Sequence, residues 1–66
     1  MNITINGKIS EYSGPPTLGE LLRSLGIDPQ RVAVERNLGI VSRSRIEEEP
    51  VEAGDTFEII RLVGGG

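Results

Sequence analysis

The stretch "TFEIIRLV", residues 56–63, decides the fold. In an extended strand successive side chains point to opposite faces, so Phe57 and Ile59 lie on one side and Ile60 and Leu62 on the other. Strands apolar on both faces sit at the centre of a sheet or under a covering element. The question for the rest of the chain is what flanks this strand.

Working back to the start, "MNITI" (1–5) alternates in the same way, with Met1, Ile3 and Ile5 on one face and Asn2 and Thr4 on the other. Asn6-Gly7 comes next, a hairpin signal because both residues tolerate positive φ. "KISEY" (8–12) then returns as a second strand. Two registers are open. A two-residue turn pairs Ile5 with Lys8 and turns Ser10 and Tyr12 to the core. A three-residue loop with a bulge turns Ile9 inward instead.

After "SGPPT", the segment "TLGELLRSLG" (17–26) reads as a helix from about Leu18 to Leu25. Thr17 and Glu20 form a capping box, in which each side chain reaches the other's backbone amide. Leu18, Leu21, Leu22 and Leu25 share one face. Gly26 supplies a left-handed position, Ile27 closes back on Leu22, and Pro29 prevents continuation. "RVAVER" is a third strand with Val32 and Val34 inward, "NLG" a turn, and "IVS" (40–42) a short fourth strand. Residues 43–53 read as a loop with one helical turn, anchored by Ile46 and Val51, and Gly54-Asp55 turns into the last strand.

The element order is β-β-α-β-β-β. One amphipathic helix covers one face of a mixed five-stranded sheet, the smallest α+β solution. The first connection is too short for a crossover, so the helix joins strands two and three. With the last strand central, beside the first, this is the ubiquitin-like β-grasp arrangement. It divides the chain into a β-grasp domain, 1–63, and a flexible C-terminal glycine tail, 64–66.

Composition narrows the chemistry. The chain has 66 residues, no cysteine and no histidine, so disulfides, zinc sites, thiol redox chemistry and histidine-based triads have no residues to work with. A net charge of −3 with only two aromatics argues against nucleic acid as a partner. No stretch approaches membrane-spanning length, and no signal peptide is visible. The absence of cysteine fits a reducing, cytoplasmic setting. The acids at 47–49, Glu52 and Asp55 read as a solvated loop, with Arg43, Arg45 and Arg61 as pairing candidates or contacts to an acidic partner.

Taken together, "INGK", "TLGELL", "VAVERN", "AGDTFEII" and the terminal "VGGG" resemble the ThiS family of thiamine-biosynthesis sulfur carriers over essentially the whole chain. The departures are Leu38-Gly39 in the turn after Asn37 and a third terminal glycine. The resemblance implies that the Gly66 carboxylate is adenylated with ATP by an E1-like enzyme of the ThiF type. Sulfur drawn from cysteine by a desulfurase then displaces AMP and leaves a thiocarboxylate. A ThiG-type thiazole synthase takes that sulfur into the thiazole ring. The chain is then a carrier and co-substrate, not an enzyme, with no permanently bound cofactor and no metal.

The chemistry itself explains such a tail. A carboxylate is a poor acyl donor, and an acyl-adenylate supplies the leaving group. Gly64 and Gly65, without Cβ atoms, can thread a narrow channel toward a nucleotide. Three extended glycines span roughly 10 Å. Ordering them costs about 1–2 kcal/mol per residue, which contacts elsewhere must offset. Ile60 and Leu62 are candidates for that partner face, unless a loop of the same chain covers them. Two alternatives share this fold: a sulfur carrier for molybdopterin synthesis, and a ubiquitin-like modifier conjugated through Gly66.

Overall fold

A computed structural model describes residues 1–14 and 17–62. Val63, Gly64, Gly65 and Gly66, and with them the proposed tail, lie outside the described residues. Strand β1 spans Asn2–Ile5, β2 Lys8–Glu11, β3 Val32–Arg36, β4 Gly39–Ile40 and β5 Thr56–Arg61, and the α-helix among the described residues, α1, spans Leu18–Ser24. The strands lie in the order β2-β1-β5-β3-β4. β1 runs parallel to β5, and the other described neighbours are antiparallel. This is the ubiquitin-like β-grasp fold, with the last strand in the middle as its two-sided apolar pattern predicts.

The hairpin register is settled in favour of the two-residue turn. Ile5 pairs with Lys8 and Ile3 with Ser10. Asn6 and Gly7 take φ of 48° and 83°, the left-handed values such a turn requires. Tyr12 is therefore buried and Ile9 is exposed. A second two-residue turn, at Asn37 and Leu38 (φ 51° and 74°), joins β3 to β4 and sets Arg36 opposite Gly39. The fourth strand is consequently Gly39–Ile40, earlier than the 40–42 expected from sequence. Beyond it, the Val41 amide continues the ladder with a bond to the Val34 carbonyl at 2.9 Å.

Helix α1 is N-capped by Thr17, whose Oγ1 accepts from the Glu20 amide at 3.4 Å. The reciprocal half of the expected capping box does not form. Glu20 instead pairs with Arg23 at 3.1 Å, one turn along the same helix. At the other end the Ile27 amide donates to the Leu22 carbonyl and the Gly26 amide to that of Arg23, both at 2.9 Å, a Schellman closure. Leu25, expected on the buried face, serves as the C-cap and is 47% exposed.

Leu18, Leu21 and Leu22 pack in one core with Ile3, Val32, Val34 and Phe57 from the sheet. Each such side chain contributes about 1.5–3 kcal/mol when fully buried. The long connection between β4 and β5 contains a 3₁₀ turn, Arg43–Arg45, and delivers Ile46 and Val51 to this core as expected. It packs closely on α1. A Cβ added to Gly19 would lie 3.0 Å from the Glu47 backbone.

Candidate functional site

The site candidates from sequence fall on β5 and on the residues after it. β5 is held from both flanks by two turn asparagines. The Asn6 side-chain carbonyl accepts from the Ile59 amide at 2.7 Å, beyond the last ladder pair between β1 and β5. On the other flank the Asn37 side-chain carbonyl accepts from the Thr56 amide at 2.9 Å, and the Asn37 backbone amide donates to the Thr56 carbonyl at 2.8 Å. The same left-handed φ that makes the turns aims these side chains back along the sheet.

The entry to β5 is tied by a buried carboxylate. Asp55 is 5% exposed and accepts from Arg36 Nε at 2.9 Å, Asn37 Nδ2 at 3.0 Å and the Glu52 amide at 2.8 Å. Burial pushes its pKa up. The bonds from the Glu52 amide, Asn37 and Arg36 outweigh that, so the carboxyl ends below its ordinary value. The Arg36 guanidinium is raised, chiefly by its hydrogen bond to Asp55, and Glu49 and Glu52 stand within 3.4 and 3.7 Å of it. From sequence, Gly54-Asp55 reads as a turn and Asp55 as one acid of a solvated loop, with Arg36 not singled out; the structure corrects this by burying Asp55. The turn is present, with Gly54 at φ 86°, but Asp55 is also the centre of this network. An Asp following a turn glycine gives no signal of burial, because its partners come from residues 36, 37 and 52.

The arginines named from sequence divide. Arg45 lies 3.8 Å from Glu49. Arg43 meets no acid among the described residues and donates to the carbonyls of Gln30 and Val32. Arg61 lines an open groove with Arg31, Asp28 and Leu62 at the end of β5. There the Leu62 amide still donates to the Arg31 carbonyl at 3.0 Å, so pairing holds to the last described residue.

Ile60 and Leu62 are 47% and 51% exposed, and no described loop covers them. They stand on the sheet face away from α1. Register places Ala33 beside Ile60, Glu35 beside Glu58, and Ile40 beside Glu35 on this same face. On the far edge, Ile9 faces outward beside Thr4. Leu38, in the β3–β4 turn, closes a shallow recess with Glu35, Thr56 and Glu58. Among the described residues, no lysine or arginine occupies an outward strand position on this face. The face is thus apolar at both ends of β5 and acidic between. No described helix is long and apolar enough to cross a membrane.

Comparison with known proteins bears on what this arrangement serves. A thiazole synthase from Paramagnetospirillum magneticum is 44% identical over all 66 residues, and the chain spans only 20% of that longer protein. The sulfur carrier protein ThiS of Bacillus subtilis is 34% identical over 65 residues, covering 97% of this chain and 98% of the relative. The crystal structure of a thiamine biosynthesis protein, ThiS, from Geobacter metallireducens superposes with a TM-score of 0.83 at 35% identity, covering all of both chains. A family model described as "ThiS family" matches residues 3–66. The chain belongs to the ThiS family.

Proposed function

We propose that this chain is a sulfur carrier in thiamine biosynthesis, with the carboxylate of Gly66 as the group that carries sulfur. The supporting observation is the family match over residues 3–66 on a β-grasp sheet whose central strand immediately precedes the terminal segment in sequence. An activating enzyme of the ThiF type uses ATP to form an acyl-adenylate at Gly66 and releases pyrophosphate. The outer sulfur of a desulfurase persulfide then attacks the acyl carbon and displaces AMP, and a thiol reductant cleaves the resulting acyl disulfide to leave the thiocarboxylate. A thiazole synthase consumes it and returns the carboxylate. The occurrence of a 44% identical segment within a protein named thiazole synthase supports that enzyme as the acceptor.

In this reading, residues 1–63 are the docking domain and Gly64 and Gly65 are the thread. Ile60 and Leu62 form part of the partner face. The chain supplies no catalytic side chain of its own; the partners do the chemistry. Anchoring β5 on both flanks holds the strand that leads toward the thread.

Growth without thiamine tests the reading. A host lacking its own carrier should grow when given this chain and should fail when Gly65 and Gly66 are deleted. Rescue of molybdenum-cofactor enzymes instead of thiamine-free growth would favour the molybdopterin alternative. High-mass conjugates linked through Gly66 would favour a modifier.

A further inference from the structure

We propose that the outer sheet face is completed by an arginine of the activating partner, seated over Glu35 and Glu58 with its methylene stem against Leu38. The inference rests on the docking reading above and specifies the partner's chemistry at that face.

Two features of the free chain work against its own stability, and they meet in one recess. Leu38 holds φ at 74°, a left-handed value that a leucine adopts at a cost, yet its side chain is 93% exposed and gains no packing. Glu35 and Glu58 stand directly opposite each other on adjacent strands, an arrangement that like charges oppose. Neither takes part in an ion pair with a described residue. On the buried side of the same sheet the acids are matched: Arg36 serves Asp55, Glu49 and Glu52. Of the acids at outward strand positions, Glu11 pairs with the Met1 amino group at 2.6 Å, whereas Glu35 and Glu58 have no such partner among the described residues.

Area argues that the contact extends this far. A specific interface takes roughly 800 Å² from each partner. The described surface totals 4371 Å², so such an interface covers close to a fifth of it. Ile60 and Leu62 alone are too small. Along β5, the six steps from Leu62 to Thr56 at about 3.3 Å each give roughly 20 Å, enough to reach the Leu38 recess. The occupant must then be apolar at its ends and cationic in the middle. A guanidinium suits two facing carboxylates better than an ammonium does, because its planar fork donates to both while its stem lies on apolar surface.

The test is activation kinetics with the cognate activating enzyme, followed as ATP–pyrophosphate exchange at varied carrier concentration. Glu35→Gln with Glu58→Gln should raise KM for the carrier about tenfold and leave kcat nearly unchanged, since the tail is untouched. Wild-type KM should rise between about 0.05 and 0.5 M salt, and the double variant should lose most of that dependence. An unchanged KM in the folded double variant overturns the proposal. A salt-independent wild-type KM overturns it without any variant. Failure of the wild-type chain to support exchange, with an enzyme shown active on another carrier, contradicts the carrier reading itself, and this inference falls with it.

Discussion

At the scale of single residues, the structure separates what the fold needs from what it tolerates. Leu38 belongs to the second group. Replacing it with glycine removes the left-handed strain and sacrifices no buried contact. Leu38→Gly should stabilise the chain by about 0.5–1 kcal/mol, seen as a rise of several degrees in thermal midpoint, while weakening activation. Asp55 belongs to the first group. Its folded pKa is depressed, so its stabilisation is complete above the ordinary carboxylate value and is lost as pH falls through the lowered one. Stability measured by chemical denaturation should therefore decline on the acid side. Asp55→Asn should cost about 1.5–3 kcal/mol at neutral pH and flatten that decline. An equally steep acid limb in the variant would assign the effect to other carboxylates.

At the scale of elements, the β-grasp order was legible because local signals agreed with one another. Asn6-Gly7, the capped leucine helix and the two-sided strand at 56–63 each pointed to one topology. The points left open or misread share a cause. Hairpin register, the shift of β4 to Gly39–Ile40 and the engagement of Glu20 by Arg23 depend on which of two short-range options the tertiary contacts select. The packing of the 43–53 connection on α1 was likewise invisible, since no local pattern marks Gly19 as a contact point. That contact yields a prediction against propensity. Alanine is favoured over glycine inside a helix by about 1 kcal/mol. Yet a Cβ at Gly19 meets the Glu47 Cα and carbonyl oxygen at 3.0 Å, where the backbone has to move. Gly19→Ala should therefore lower the thermal midpoint, at a net cost of about 1 kcal/mol. A higher midpoint would show that the connection yields freely.

At the scale of the whole molecule, one strand links folding to function. β5 is the centre of the sheet, carries Phe57 into the core, presents Ile60 outward and precedes Gly64, Gly65 and Gly66 in the chain. In the proposed function the carboxylate of Gly66 is the group for acyl chemistry. Of the candidate site, Ile60 and Leu62 were readable from alternation alone. The acidic strip was not, because Glu35 and Glu58 lie 23 positions apart (58 − 35) and meet only through the β3–β5 register. The central claim concerns Gly66, and intact-protein mass spectrometry tests it most directly. The chain is incubated with ATP, the activating enzyme, a cysteine desulfurase and cysteine, and its mass is compared with a sample lacking ATP. The account predicts a gain equal to one oxygen replaced by one sulfur, localised by fragmentation to Gly66. An unchanged mass, with every enzyme shown active on another carrier, would contradict it.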